Sequence, residues 1–342
     1  MEQIPFYTGP DFDFNEAEFD SLMKNRVYRV LIICSNYDYF MLEEDGRIDE
    51  QIFNEYVSLN LRYPPIFIHA DSARKAFAIL QRENIDLVIS MLSVGEMDAF
   101  GLSGRIKEKY PAKPIVVLTP FSREVSMKLV KEDLSAIDYV FSWLGNANLL
   151  VAIIKLIEDR MNLAYDVMEV GVQTILLVED SIRYYSSYLP DIYNIVFTQS
   201  KSFMQEGLNA HKKMLRMRGR PKILLATTYE EAERLYRTYQ DNMLGIISDV
   251  SFKRNGKKET DAGIKFCRMV REENRYMPLL VQSSNLGNQA KAMELNASFL
   301  HKYSKTLEIE LRNFMKRYMA FGIFIFRHPE TGEEFGRASN LK

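Results

Sequence analysis

The chain repeats one order of short apolar runs and helical segments twice, and this repetition limits the folds open to it. The first series begins with YRVLIICSN at 28–36 and ends with AIDYVF at 136–141. The second begins with QTILLVEDS at 173–181 and ends with ASFLHK at 297–302. Each series holds five short strands with helices between them, which is typical of a parallel sheet covered on both faces. The sequence therefore predicts an α/β fold of two tandem, doubly wound, five-stranded parallel sheets.

The remaining runs fall at matching places in the two series. They cover 64–70, 85–91 and 114–119 in the first series, and 221–228, 244–250 and 277–284 in the second. The spacing between matching runs changes most across residues 181–220, where the second series is longer. We expect an extended first helix in this segment, broken near Pro190, because proline disrupts the interior of an α-helix.

These runs divide the chain into five predicted segments. They are an N-terminal extension at 1–26, a first unit at 27–163, a helical linker at 164–171, a second unit at 172–320, and a tail or the start of a further module at 321–342. Apolar residues at helical spacing from Leu149 to Val167 predict a helix that joins the core and then contacts the other unit, or a second chain in a homodimer. Gly171 is expected to end this helix.

Composition and charge exclude several classes of function. A net charge of −2 over 342 residues gives no reason to expect binding to nucleic acid or an anionic membrane. The longest apolar runs are too short to cross a bilayer. Cys34 and Cys267 lie far apart, each in an apolar stretch. This placement indicates buried thiols in a reducing compartment. The first residues lack a signal peptide, so we expect a cytoplasmic protein.

Three carboxylates follow two neighbouring strands of the second unit. Glu179 and Asp180 end the run ILLVED, and Asp249 closes LGIISD. The carboxyl ends of parallel strands form the edge where α/β folds bind ligands, so these acids are expected to lie together. Like charges that meet raise one another's pKa unless a cation joins them, and hard oxygen ligands suit Mg²⁺. The sequence therefore predicts a Mg²⁺-dependent phosphoryl site.

Two further residues extend this pattern into a family motif. Ser283 follows the fourth strand of the second unit, and Lys302 follows the fifth. Together with Glu179, Asp180 and Asp249, they stand in the order of the phosphoacceptor site of response-regulator receiver domains, which the second unit resembles. The resemblance implies a flavodoxin-like, receiver-type sheet in each unit. It also implies a regulatory protein, not an enzyme, that is phosphorylated by a histidine kinase or a phosphotransfer protein.

The resemblance assigns the metal ligands and the acceptor. Asp249 accepts the phosphoryl group as a carboxylate nucleophile. Mg²⁺ is held directly by Asp180 and Asp249, by Glu179 through water, and by the backbone carbonyl of Ser251. Transfer of so highly charged a group depends more on charge neutralisation than on covalent assistance.

Three other residues receive roles from the same resemblance. Lys302 pairs with Asp249 and then with a phosphoryl oxygen. The hydroxyl of Ser283 binds another oxygen, although the neighbouring Ser284 could serve instead. Phe299 stands where the family has its switch aromatic, and plain core packing would also explain it.

Two departures from the family pattern bear on regulation. Tyr303 replaces the proline that usually follows the lysine. The segment 252–262 is longer than the family's loop, and its basic residues are Lys253, Arg254, Lys257 and Lys258. This loop could guard the acyl phosphate, contact an acidic partner or raise the local affinity for phosphate, and a mobile, solvated loop is an equal alternative.

The first unit resembles a receiver in its order of elements but lacks the site residues. Cys34 and Ser35 replace the acidic pair, Met91 replaces the acceptor, and Ser142 and Trp143 replace the Lys-Pro pair, while Thr119 and Tyr139 alone match. With no Mg²⁺ ligands left, we expect a degenerate pseudo-receiver that packs, dimerises or relays a signal.

Three functions remain open on the sequence. The first is a signalling input whose output domain lies C-terminal to this chain or in a separate protein. Residues 189–232 and 321–342 resemble the regulatory N-terminal region of bacterial phosphoenolpyruvate synthase-like proteins, which precedes a pyruvate phosphate dikinase-type ATP-binding domain. The second is a phosphatase or phosphomutase, which would need a second Asp where Ser251 stands. The third is a scaffold that is never phosphorylated.

Overall fold

The structure, a computed structural model, describes residues 22–43, 46–59, 61–94, 97–120, 132–143, 145, 147–202, 219–319, 324–327 and 334–338. Nearly all of the expected N-terminal extension and much of the expected tail lie outside these residues. The helix expected between the fourth and fifth strands of the first unit also lies outside them.

The first unit contains a five-stranded parallel sheet. Its elements are β1 (Arg29–Ile33), α1 (Asn36–Leu42), α2 (Ile48–Ser58), β2 (Ile66–Ala70), α3 (Ala73–Arg82), β3 (Leu87–Met91), β4 (Ser93–Val94), β5 (Met97–Asp98), α4 (Ala99–Lys109), β6 (Ile115–Pro120), β7 (Tyr139–Trp143) and α5 (Ala147–Leu163). The strand order is β2–β1–β3–β6–β7, and all of these pairs are parallel. Strands β4 and β5 form a small hairpin after β3.

The second unit repeats this arrangement. A π-helical turn (Ala164–Glu169) continues α5 toward Gly171, whose φ is 81°. There follow β8 (Thr174–Val178), α6 (Ile182–Ser202), β9 (Lys222–Ala226), α7 (Tyr229–Tyr239), a 3₁₀ turn (Gln240–Asn242), β10 (Met243–Asp249), β11 (Phe252–Arg254), β12 (Lys257–Glu259), α8 (Ala262–Glu273), β13 (Leu279–Ser283), α9 (Asn288–Glu294), β14 (Ser298–His301) and α10 (Leu307–Tyr318). An antiparallel pair, β15 (Phe324–Arg327) and β16 (Glu334–Ala338), lies beyond it.

Both sheets have the strand order of the flavodoxin-like class. In the second sheet the order is β9–β8–β10–β13–β14, with every pair parallel. Numbered within its unit, each sheet reads 2-1-3-4-5, an order that brings the carboxyl ends of the first and third strands together. The predicted fold class is confirmed.

The two sheets share one hydrophobic core. Strand β8 is buried along its whole length, as expected of a parallel strand covered on both faces. The largest cluster of buried apolar residues joins Ile153 and Ile157 of α5 to Leu177 of β8 and Ile192 of α6. Helix α5 is buried on nearly all sides because it packs against α2 and also against α6 and β9. The two units therefore form one body around this helix.

Buried ion pairs join the units beside that core. Arg220 donates two hydrogen bonds to Asp159 of α5, at 2.7 and 3.0 Å, and Tyr193 donates to the same carboxylate at 2.8 Å. Lys222 of β9 lies 2.6 Å from Asp166. All of these charged side chains are almost completely buried, so removing one partner would leave an uncompensated charge in the core.

The expected break near Pro190 is wrong. Helix α6 is continuous across this residue, with Pro190 in its interior. Tyr185 and Leu189 are buried before the proline, and Ile192 and Tyr193 are buried after it. Packing on both sides therefore holds the helix in place, although proline removes one of its backbone hydrogen bonds.

Candidate functional site

Three carboxylates meet at the carboxyl edge of the second sheet. Strands β8 and β10 are parallel neighbours, with Val178 opposite Ser248. Glu179 and Asp180 therefore follow β8 at the level at which Asp249 ends the neighbouring strand, β10. Each acid offers an oxygen, and these oxygens all lie within 4.8 Å of one another. The three acids that the sequence singled out as metal ligands thus lie together. For the fourth expected ligand, the carbonyl of Ser251, the sequence position two residues after Asp249 is the only support.

Lys302 lies between two of these acids. Its Nζ is 2.5 Å from Oε2 of Glu179 and 3.0 Å from Oδ1 of Asp249. Its backbone N–H donates to the carbonyl of Ser283 at 3.0 Å, which fixes the end of β14 against β13. The ammonium also lies 4.1 Å from the ring centroid of Tyr184, a residue of the first turn of α6. One buried cation therefore contacts two acids and the start of α6.

Lys302 only partly offsets the cost of burying Glu179 and Asp249. Burial, followed by the charge of Asp249, raises the pKa of Glu179 to about 8, and Lys302 opposes the shift. Burial also raises the pKa of Asp249, with Lys302 again opposing. Burial therefore disfavours the charged form of both acids, and, among the residues that the structure describes, the group of three carboxylates has a single buried lysine as its partner.

The donor set fits Mg²⁺. It offers carboxylate oxygens at close range, in a pocket whose excess negative charge a divalent cation would neutralise, and such oxygens are the ligands that Mg²⁺ prefers. Asp180 is the more accessible member of the pair, with 11% of its side chain exposed, whereas Glu179 is completely buried. Asp180 is thus the acid of this pair that an entering ion meets first.

Ser283 and Phe299 occupy the places predicted for them on β13 and β14. The Ser283 hydroxyl oxygen accepts hydrogen bonds from the Asn285 backbone N–H at 3.1 Å and from Asn288 Nδ2 at 3.0 Å. It therefore organises the loop that follows β13. Phe299 is partly buried and packs against the core of the second unit.

Sequence reasoning missed one element beside the site, the hairpin β11–β12. The segment 252–262 is not an irregular loop, because Lys253 pairs with Lys258 in an antiparallel register. Asn255 and Gly256 form its turn with φ values of 50° and 73°, as a type I′ turn requires. The Asn-Gly dipeptide was the available signal. The hairpin brings Lys258 Nζ to 2.8 Å from both carboxylate oxygens of Asp180.

The matching edge of the first unit holds different chemistry. Ser35 caps α1, where its oxygen accepts from the backbone N–H of Asp38 at 3.0 Å. Burial raises the pKa of the Cys34 thiol to about 12, so it stays protonated. The backbone N–H of Ser142 donates to Ser186 Oγ of α6 at 2.9 Å. Within the described part of the chain, a group of three acids close enough to share a metal occurs only in the second unit.

Known proteins of similar structure are receiver domains. One is the signal receiver domain of an HD domain-containing protein from Pseudomonas fluorescens, with 23% identity, coverage of 41% of this chain and 97% of that chain, and a TM-score of 0.27. A response regulator from Thermotoga maritima, in complex with Mg²⁺ and BeF, has 19% identity, coverage of 38% and 98%, and a TM-score of 0.30. The receiver domain of a putative LuxO repressor from Vibrio parahaemolyticus has 18% identity, coverage of 42% and 98%, and a TM-score of 0.31.

These likenesses add no detail about the site. No protein-family model matches the sequence, and no curated protein matches it. The fold class rests on the strand order of the two sheets. Among the described residues, no helix is both long enough and apolar enough to span a membrane.

Proposed function

We propose that this chain is a phosphoacceptor module of the two-component type, in which Asp249 receives a phosphoryl group in a Mg²⁺-dependent reaction. The observation that carries the proposal is the position of Lys302, which contacts Glu179 and Asp249 at once. Asp180 completes the set of acids around it. A buried cation between a nucleophilic carboxylate and a metal-binding pair is suited to phosphoryl transfer, in which charge must be neutralised on every side.

In the proposed reaction, a carboxylate oxygen of Asp249 attacks the phosphorus of a phosphohistidine on a histidine kinase or phosphotransfer protein. The new phosphorus–oxygen bond forms as the phosphorus–nitrogen bond breaks, and the imidazole leaves with the electron pair and takes a proton from solvent. Mg²⁺, when bound by Glu179, Asp180, Asp249 and the Ser251 carbonyl, supplies positive charge to the transferred group. Lys302 orients Asp249 and then binds a phosphoryl oxygen.

The same residues offer a route by which phosphorylation changes the surface. In this proposal the Ser283 hydroxyl exchanges its bonds to the loop after β13 for a phosphoryl oxygen, and Phe299 follows the loop. A second route runs through α6, because Tyr184 contacts Lys302 while Ser186 contacts β7 of the first unit. Phosphorylation acts by favouring one of two arrangements that already exist.

The proposed output module lies outside the two units. We assign residues 27–163 to a pseudo-receiver and 172–320 to the phosphorylated receiver, joined through 164–171. Residues 321–342 would lead toward an output module of a cytoplasmic, phosphoenolpyruvate synthase-like enzyme, or the output would act in trans. The chain itself then regulates and does not catalyse, and a homodimer would supply a further surface for regulation.

The test is the intact mass of the protein after incubation with acetyl phosphate and Mg²⁺. We expect one phosphoryl group on the wild type and none on Asp249→Asn, which keeps the side-chain volume but removes the nucleophile. Omitting Mg²⁺ should also prevent the addition. If the wild type gains no phosphoryl group and also fails to bind beryllofluoride, the module is a scaffold and the proposal is wrong.

A further inference from the structure

The hairpin β11–β12 is held in a fixed place above the acid pair. Its turn is attached to α7, because the backbone N–H of Asn255 donates to Glu230 at 2.8 Å. The guanidinium of Arg254 lies 4.1 Å from the ring centroid of Tyr229. Lys253 also forms a backbone bridge with the residue that caps α7, Thr228. These contacts anchor one strand of the hairpin and leave the other, β12, facing the site.

Strand β12 supplies a cation to Asp180. Lys258 Nζ lies 2.8 Å from both Oδ1 and Oδ2 of Asp180, so it contacts both carboxylate oxygens that this acid could offer to a metal ion. Its side chain is 55% exposed, whereas that of Lys302 is 4% exposed. The three acids thus have two lysine partners, one buried and one at the mouth of the pocket.

The two lysines differ in how readily they can be displaced. The side chain of Lys258 is largely exposed, so Lys258 can leave Asp180 and be solvated by water instead. Removing Lys302 from its partners would leave a buried, unpaired charge, which is far more costly. A divalent cation that approaches Asp180 therefore meets Lys258 as its competitor, and the two positive charges repel each other at short range.

We propose that Lys258 is a resident counter-ion that competes with Mg²⁺ for Asp180 and so sets the Mg²⁺ concentration at which the site becomes competent. This inference rests on the proposed function for the identity of the ion. With the metal absent, Lys258 partly neutralises the acids through its contact with Asp180. When the metal binds, Lys258 is released from Asp180 and the hairpin presents one more cation at the mouth of the site.

The experiment is calorimetric titration of the metal-free, full-length chain with Mg²⁺ at low ionic strength. Lys258→Gln should bind Mg²⁺ about three- to tenfold more tightly than the wild type, because a repelling charge beside the ion has been removed. Lys257→Gln makes the same charge change one residue away in the same exposed strand and is the matched control. Its affinity should stay close to that of the wild type.

Two further measurements separate local competition from other causes. Lys258→Arg keeps the charge and should bind Mg²⁺ with nearly wild-type affinity. The gain of Lys258→Gln should shrink in about 0.5 M KCl, where charges more than a few ångströms apart are screened. Circular dichroism checks that the variants are folded.

Each outcome decides the inference. Equal or weaker Mg²⁺ binding by Lys258→Gln overturns the competition, and the proposed function stands if the wild type still binds Mg²⁺ and is phosphorylated. An equal gain in Lys257→Gln also overturns it, because the effect would then be one of general charge. If neither the wild type nor Lys258→Gln binds Mg²⁺, the proposed function is wrong and the competition is wrong with it.

Discussion

At the scale of single residues, Gly263 shows how closely the site is built. It lies in the first turn of α8, against the backbone at the end of β10, and its N–H donates to the carbonyl of Val250 at 2.9 Å. A β-carbon placed on it would lie 1.8 Å from the carbonyl oxygen of Asp249 and 3.0 Å from the α-carbon of Val250. Backbone atoms cannot move aside as a flexible side chain can, so only glycine fits here.

Gly263→Ala should therefore disturb the end of β10. We expect a loss of at least 1–3 kcal/mol in the free energy of unfolding, the usual cost of overpacking, and weaker Mg²⁺ binding because Asp249 is pushed out of place. Urea unfolding and Mg²⁺ titration measure the two effects.

Gly104→Ala is the control for this prediction. Gly104 lies inside α4, and a β-carbon there would meet nothing within 4 Å. The substitution should be neutral or should stabilise the protein by up to about 1 kcal/mol, as alanine does in an open helical position. A Gly263→Ala protein as stable as Gly104→Ala, with normal Mg²⁺ affinity, would show that α8 can move away freely.

At the scale of elements, the packing of α6 against α10 places Asp191 in an unfavourable position. Burial, and then the charge of Glu308, raises the pKa of Asp191 to about 6, while Arg312 opposes the shift. An acid with a raised pKa binds its proton more tightly in the folded state than in the unfolded state. Its contribution to stability is therefore most favourable below about pH 4 and is lost as the pH rises through about 6.

Asp191→Asn should remove this pH dependence. The variant and the wild type should be equally stable near pH 4, and the variant should be more stable above pH 6. Because Asp191 is partly exposed, solvent screening limits the gain to about 1 kcal/mol or less. Guanidinium unfolding at several pH values measures the difference, and a variant that is less stable at pH 7 would mean that the attraction of Arg312 for the carboxylate outweighs the cost of burial.

The elements also show where sequence patterns were sufficient. Helix α4 begins where Asp98 caps it, with Oδ1 accepting from the backbone N–H of Gly101 at 2.9 Å, and aspartate is a residue type that favours this position. The hairpin β11–β12 carried a local signal in Asn255 and Gly256, but that signal does not say what the hairpin covers. Its contact with Asp180 depends on residues that are distant in sequence.

At the scale of the whole molecule, the shared core implies that the two units unfold together. Trp143, the single tryptophan of the chain, lies at the end of β7 in the first unit and reports on that unit. Leu177 lies in β8 of the second unit and is completely buried in the same cluster against which Trp143 packs. A substitution at Leu177 should therefore shift the unfolding transition that Trp143 reports.

Leu177→Ala should lower the free energy of unfolding by about 2–5 kcal/mol, the range for a buried leucine. The tryptophan fluorescence transition in the first unit should move to lower denaturant together with the circular dichroism transition of the whole chain. If fluorescence is unchanged while circular dichroism shows an early second transition, the units are independent domains. Ile68→Ala is the comparison, because Ile68 is partly buried and packs against a separate cluster that lies within the first unit.

The sequence by itself determined the order of elements, the class of the two sheets and the residues at the strand ends. Apolar runs of strand length alternate with helices, and parallel strands bring their carboxyl ends to one edge, so Glu179, Asp180 and Asp249 were expected to meet. These inferences need only local periodicity and the direction of the chain.

Only the tertiary structure decided which distant groups compensate one another. The continuity of α6 through Pro190 depends on packing on both sides of the helix. The pair between Arg220 and Asp159 depends on how the units dock, and the contact of Lys258 with Asp180 depends on where the hairpin is anchored. Such contacts join residues that are many positions apart, and their energies depend on burial, which a local sequence pattern does not specify.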